Sequence, residues 1–246
     1  AHRVAFVRQV YLWLGAGFLV AFLGALGSML TMPLWVAGFK SMGRGFMFLI
    51  FAAQMGAIFF AQAVSRKRPL NILAYGLFTG LSGYVAGMVS LIVGSQSGFG
   101  TVVAAAGLTA ADFLLLTAVT VFSKKDFSFL RSFVVVGIGI MFFGGLAAAL
   151  FNLPMFSLVI SAVAVIACSA KILWDTSAML RTDDLEKPAD WTLSLFVCVY
   201  NIFISIIIFN IFLFLFCFFN CQEILSFWIK WCFRFFLKRF IKFSID

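Results

Sequence analysis

Residues 158–174 read LVISAVAVIACSAKILW, and Asp175 follows them directly. A run of this length and composition is about long enough to cross the hydrocarbon core of a bilayer, which takes about 20 apolar residues. Asp175 also opens the acidic stretch 175–190. An ionisable group at the edge of hydrocarbon is costly unless it is solvated, paired or used. The stretch therefore predicts a transmembrane helix that carries a candidate functional carboxylate at its end.

The composition of the whole chain predicts an integral membrane protein. Of its 246 residues, 64% are hydrophobic and 11% are charged, whereas about a quarter of the residues of a soluble domain are charged. The length suffices for about seven spans of about 20 residues. Because the remaining loops are too short to fold alone, we expect one transmembrane domain over residues 1–220, a tail at 221–246 and no extramembrane domain.

Seven apolar segments with short polar connections predict an all-α, seven-helix transmembrane bundle. They are residues 10–30, 46–64, 70–93, 101–122, 129–150 and 155–174, and a segment that begins near Trp191. The Gly- and Ser-rich residues 94–98 are predicted to form a turn that ends the third segment.

The placement of basic residues predicts the orientation. With a cytoplasmic N-terminus, two basic residues before the seventh span, Lys40 and Arg44, lie outside. The inner segments then hold Arg3, Arg8, Arg66, Lys67, Arg68, Lys124, Lys125, Arg131, Lys171, Arg181 and Lys187. Cytoplasmic loops carry such an excess of Lys and Arg, so the N-terminus is predicted to be cytoplasmic.

The C-terminal tail is basic as well, although an odd number of spans would place it outside. Its residues Lys230, Arg234, Lys238 and Lys242 recur every four positions among Trp and Phe. This pattern is typical of an interfacial helix on anionic lipid, and a hairpin that returns the tail to the cytoplasm is the alternative. The bias of residues 209–241 towards Phe, Ile and Cys also fits a chain end under little selection.

The net charge of +9 does not predict nucleic-acid binding, because the basic residues flank predicted spans or lie in the tail. No pairing of a nucleophile with a base is recognisable, and the sole histidine is His2. Cys217 and Cys221 lie one helical turn apart without a further ligand nearby. The five cysteines give no disulfide framework. An enzyme, a cofactor and a metal site are therefore not predicted.

Four glycines share one face of the third span. Gly76, Gly80, Gly83 and Gly87 are spaced by four, three and four residues, which predicts a groove where another helix approaches closely. Tight packing inside the bundle is the favoured interpretation, and a dimerisation site or a hinge is the alternative.

Asp112 lies about midway along the fourth span. We expect no basic residue inside a neighbouring span to pair with it. Such a carboxylate is expected to face the bundle interior or water. It either lines a cation path or is neutral and hydrogen-bonded to Thr109, Thr117 or a backbone carbonyl. If the span begins near Phe113, Asp112 is an ordinary interfacial residue.

Several motifs, taken together, resemble the Bax inhibitor 1 family and most closely its bacterial YccA-like branch. They are AYGLFTGLSGY at 74–84, KKDFSFL at 124–130, ILWDTS at 172–177, SLF at 194–196 and YNIF at 200–203. The resemblance covers residues 8–208 and implies a seven-helix bundle with a central seventh helix. It gives the tail no role.

In family members that leak calcium, an aspartate that ends the sixth helix and one in the seventh are held to form a proton-sensitive latch. Asp175 matches the first, and the second position falls on Cys198, three residues before Asn201. Two close carboxylates share a proton, which a neutral thiol does not reproduce. Loop acids are an alternative source of a carboxylate, although we expect them to be solvated: Asp183, Asp184, Glu186 and Asp190.

The resemblance therefore implies two functions. The first is a regulatory protein of the bacterial inner membrane that associates with the quality-control protease FtsH and modulates its access to membrane substrates. The second is a cation leak, with Ca²⁺ as the candidate ion and H⁺ as the gating signal, in which Asp175 is the sensor and Asp112 a pore group. The missing second aspartate favours the first.

Overall fold

The computed structural model describes residues 2–65, 67, 69–123, 125–151, 153–182 and 188–210. The helices are α1 His2–Leu30, α2 Met32–Met42, α3 Arg44–Ala63, α4 Leu70–Ser97, α5 Phe99–Ser123, α6 Leu130–Phe151, α7 Pro154–Arg181 and α8 Pro188–Asn210. No strand occurs within these ranges. The predicted all-α class is therefore confirmed.

All of these helices except α2 are long and apolar enough to cross a membrane, so the seven predicted spans are confirmed. The 11-residue α2 was not predicted. It follows the first span directly, and the indole Nε1 of Trp35 donates a hydrogen bond to the Ser28 carbonyl of α1 at 2.9 Å. This bond ties α2 back to the end of α1.

Two spans extend well beyond the C-terminal end that the sequence predicts. α4 continues through Ser97, so the turn predicted at 94–98 is wrong for all but its last residue. The Ser95 hydroxyl bonds to the Ile92 carbonyl at 2.7 Å, and the backbone leaves the helix at Gly98, whose φ of 85° favours glycine. α7 also continues past Trp174 to Arg181, which places Asp175 inside the helix rather than at its end.

The seventh span, α8, lies at the centre of the bundle as predicted. Half of its most apolar 18-residue stretch is buried, against 11% of the corresponding stretch in each of α3, α5 and α6. The ring of Phe196 on α8 lies 5.4 Å from Phe18 of α1, and 6.1 and 5.9 Å from Tyr75 and Phe78 of α4, between ring centroids. Helices α1, α4 and α7 therefore surround α8, and α5 and α6 pack on α7.

Some of the predictions fall outside the described ranges. These are the interfacial helix and the topology of the tail, the boundary at residue 220, the Cys217 and Cys221 pair, and the loop acids Asp183, Asp184 and Glu186. They stay predictions.

Candidate functional site

The carboxylate of Asp175 is buried on α7, with 4% of the residue exposed. The Nζ atom of Lys171, one helical turn earlier, lies 2.9 Å from Oδ1 and 2.8 Å from Oδ2. From α8, the Ser194 hydroxyl donates to Oδ2 at 2.6 Å. Among the residues that the structure describes, Lys171 and Ser194 are the hydrogen-bond and ion-pair partners of Asp175. The carboxylate is thus neutralised along its own helix and joined to α8 by a hydroxyl.

The ammonium group of Lys171 also contacts an aromatic ring. Its Nζ atom lies 5.1 Å from the centroid of the Trp174 ring, within the range of a cation–π interaction. A buried charge persists only when it is compensated, and each member of the Lys171–Asp175 pair compensates the other. This pairing was not predicted. The spacing of four residues between Lys171 and Asp175 is the signal that would have found it.

The position that the resemblance assigns to a second acid contains two thiols. Cys198 of α8 is 2% exposed, and its thiol lies beside that of Cys168 on α7, which is 3% exposed. The two cysteines are not bridged. Asn201 donates from Nδ2 to the carbonyl of Val197, one turn earlier, at 2.8 Å. The α7–α8 junction, which we define as Cys168, Lys171, Asp175, Ser194 and Cys198, thus combines one ion pair with one hydroxyl and two thiols.

Asp112 is half-buried on α5, where it binds α7. The Ser169 hydroxyl donates to its Oδ2 at 2.9 Å. Neither threonine proposed from the sequence is its partner: the Thr109 hydroxyl bonds to a carbonyl of its own helix at 2.8 Å, and among the described residues Thr117 makes no hydrogen bond to Asp112. A basic residue, Lys171, also lies inside the neighbouring span, but it pairs with Asp175. Its partner Ser169 directly follows Cys168 of the α7–α8 junction in the chain.

A second polar contact reaches α8 from the other side. Gln54 of α3 donates from Nε2 to the Tyr200 hydroxyl of α8 at 2.7 Å. The same nitrogen lies 3.5 Å from the Ser82 hydroxyl of α4. These contacts were missed, although a glutamine inside an otherwise apolar span is itself a signal that the residue faces other helices.

The glycine face of α4 packs on α1. A Cβ atom on Gly83 would overlap the backbone of Ala21, and one on Gly87 would also meet the α1 backbone. At Gly80 a Cβ would make an ordinary contact, and at Gly76 nothing lies within 4 Å. We call the contact of Gly83 and Gly87 with α1 the α1–α4 seam. The close approach at the seam takes place inside the bundle.

Residues 3–222 match a family model described as "Inhibitor of apoptosis-promoting Bax1". The chain belongs to the Bax inhibitor 1 family. The resemblance of the sequence motifs is thereby confirmed over nearly the whole chain.

Relatives within the family come from several bacteria. The chain is 33% identical over 154 residues to the "Modulator of FtsH protease YccA" of Escherichia coli, covering 62% of this chain and 69% of that protein. It is 31% identical over 156 residues to an uncharacterized membrane protein of Vibrio cholerae, covering 63% and 70%. An uncharacterized protein of Campylobacter jejuni is 28% identical over 203 residues, covering 82% and 86%.

Proposed function

We propose that this Bax inhibitor 1 family member is a multi-pass protein of the bacterial inner membrane that modulates an FtsH-type protease. The observation that carries the proposal is the 33% identity to the Escherichia coli protein named as a modulator of that protease. The proposed action is on the access of membrane substrates to the protease, and it uses helix contacts rather than catalysis.

The α7–α8 junction supports a regulatory role more than a proton-gated one. A carboxylate that shares a proton with a second carboxylate titrates as part of a pair, whereas Asp175 binds the ammonium group of Lys171 at 2.8 Å. Lys171 thus compensates its charge. In this proposal Asp175 orients α7 against α8 through Ser194, and the apolar outer faces of α3, α5 and α6 contact the transmembrane segments of the partner.

Two measurements in Escherichia coli test the proposal. The first is co-purification of the tagged chain with the FtsH-type protease from membranes solubilised in a mild detergent. The second is the half-life of a short-lived membrane substrate of that protease. We expect co-purification and a longer half-life. An unrelated seven-span protein at the same membrane level is the control, and equal results for the chain and this control contradict the proposal.

The proposal places the N-terminus in the cytoplasm. The loop between α5 and α6 is then cytoplasmic, together with its Lys125 and Arg131. Alkaline phosphatase fused within this loop is expected to be inactive, because the enzyme requires an oxidising compartment. A fusion within α2, which lies on the opposite side, is expected to be active. The reverse pattern would overturn the orientation.

A pH-sensitive calcium leak is the second candidate, and Asp112 is the observation that favours it. This half-buried carboxylate lies within the fourth span, and a hydroxyl of α7 binds it. Intramembrane carboxylates mark ion paths in many membrane proteins. Calcium flux into proteoliposomes, measured from roughly pH 6 to pH 8, tests the leak on the parent, Asp175→Asn and Asp112→Asn. Flux that is absent, or indifferent to both variants, rejects it.

A further inference from the structure

A basic cleft lies between the ends of α5 and α7, on the membrane face where the α5–α6 loop closes. Its volume is about 340 Å³. The lining residues are Thr120, Val121, Lys125, Ser177, Leu180 and Arg181. The cleft combines apolar walls with two cationic side chains, and none of the functions described above uses it.

The loop that carries Lys125 is fastened to α7. The Ser177 hydroxyl donates to the backbone carbonyl of Lys125 at 3.3 Å and accepts from the backbone N–H of Phe127 at 3.4 Å. The guanidinium of Arg181 binds Asp126, with 2.7 Å between Nη1 and Oδ2. These three contacts fix the position of the Lys125 backbone at the mouth of the cleft.

Among the described residues at the cleft, positive charge exceeds negative charge. Lys125 and Arg181 each carry one positive charge, and Asp126 carries one negative charge. The backbone N–H of Ser128 lowers the pKa of Asp126, with a smaller contribution from Arg181, so Asp126 stays ionised near neutral pH. The carbonyl groups at the ends of α5 and α7 add partial negative charge. A bound anion is therefore held by side chains, mainly by the exposed Lys125.

The depth of the cleft in the membrane indicates the kind of anion. The spans Phe99–Ser123 and Met155–Arg181 both end here, so the two cations lie at the level of lipid headgroups. Val121 and Leu180 line the side that continues into the span. Basic pockets between transmembrane helices bind anionic lipid headgroups in this setting, and an apolar wall beneath the cations suits the first part of an acyl chain.

We propose that the α5–α7 cleft binds the headgroup phosphate of an anionic phospholipid, with Lys125 and Arg181 on the phosphate and Val121 and Leu180 beside the acyl chain. In this proposal one cleft selects the lipid, whereas general electrostatic attraction would involve all the basic residues on that membrane face. The bound lipid joins α5, the α5–α6 loop and α7. The proposal does not depend on the modulation of a protease.

The test uses the purified full chain and native mass spectrometry with phosphatidylglycerol, phosphatidylcholine and inorganic phosphate as probes. We expect phosphatidylglycerol to be retained in preference to phosphatidylcholine. Lys125→Gln is expected to weaken phosphatidylglycerol retention about fivefold, the effect of one interfacial lysine charge, and Lys125→Arg is expected to restore it. Lys125 is exposed, so its substitution leaves the core intact.

Lys67→Gln is the matched control, because Lys67 is an exposed residue of the α3–α4 loop on the same membrane face. It is expected to retain phosphatidylglycerol as the parent does. An equal loss in Lys67→Gln and Lys125→Gln would overturn the proposal in favour of general surface attraction. Equal retention of the two phospholipids, or displacement of phosphatidylglycerol by inorganic phosphate at similar concentration, would overturn it as well.

Discussion

The α1–α4 seam and the α7–α8 junction hold neighbouring helices together by different means. At the seam, Gly83 offers no side chain and the backbone of Ala21 occupies the place of its Cβ. At the junction, Lys171 and Ser194 both bind the Asp175 carboxylate. The stability of the seam therefore depends on side-chain volume and not on charge, whereas the stability of the junction depends on charge. Within one bundle, one helix contact is thus sensitive to side-chain size and another is sensitive to charge.

The largest expected effect comes from removal of the cation at the junction. Lys171→Met leaves the buried Asp175 carboxylate without its counter-ion, and we expect a loss of about 3–5 kcal/mol in the free energy of unfolding in mixed micelles. Lys171→Arg keeps the charge and is expected to lose much less. The double variant Lys171→Met/Asp175→Asn removes both charges and should recover part of the loss. Equal stability of Lys171→Met and Lys171→Arg would show that the junction does not depend on charge.

A methyl group at the seam is expected to have the next largest effect. Gly83→Ala places a Cβ on the α1 backbone, and overpacking of this kind costs about 1–3 kcal/mol. Gly76→Ala is the matched control on the same helix, since nothing lies within 4 Å of its new Cβ. Thermal unfolding in detergent compares the two. The seam as described requires that Gly83→Ala unfold at a lower temperature than Gly76→Ala.

A smaller effect is expected where α3 meets α8 away from the junction. Gln54 and Tyr200 share a hydrogen bond of 2.7 Å, and such bonds between transmembrane helices contribute about 0.6 kcal/mol on average. A double-mutant cycle with Gln54→Leu and Tyr200→Phe isolates this coupling. A coupling as large as that of Lys171 with Asp175 would mean that α8 is held by polar contacts along its whole length, rather than mainly at the junction.

The smallest expected effect on stability comes from Asp126, which lies outside the membrane. The pKa of Asp126 is lowered, first by the Ser128 N–H and less by Arg181. A carboxylate with a lowered pKa stabilises the fold at pH values above its ordinary pKa of about 4. This stabilisation is lost as the pH falls through the lowered pKa. Asp126→Asn is therefore expected to be slightly less stable than the parent near neutral pH, with a difference that shrinks in acid. A difference that grows in acid would contradict the Asp126 contacts.

Much of the fold follows from the sequence alone. The apolar segments predict the seven spans because the thickness of the bilayer fixes their length, and the spacing of Gly83 and Gly87 predicts a close helix contact. Span ends are predicted less well. Serine hydroxyls at 95 and 97 were interpreted as part of a turn, yet Ser95 bonds to its own helix and lets α4 continue to Ser97.

Contacts between helices are harder to predict than the helices themselves. The bond from Ser169 to Asp112 depends on the relative rotation and depth of α5 and α7, which no local spacing specifies. Likewise, Cys198 was predicted at the position of the second acid, but its neighbour Cys168 lies 30 residues away on another helix. The Lys171–Asp175 pair is different, because both residues lie on one helix and their spacing alone predicts it.

Degradation by the purified FtsH-type protease, reconstituted with or without this chain in the same nanodiscs, tests the account most directly. A membrane substrate and a soluble substrate are followed in parallel. We predict that the chain slows degradation of the membrane substrate and leaves that of the soluble substrate unchanged. Unchanged degradation of the membrane substrate, or equal slowing of both substrates, would contradict the account.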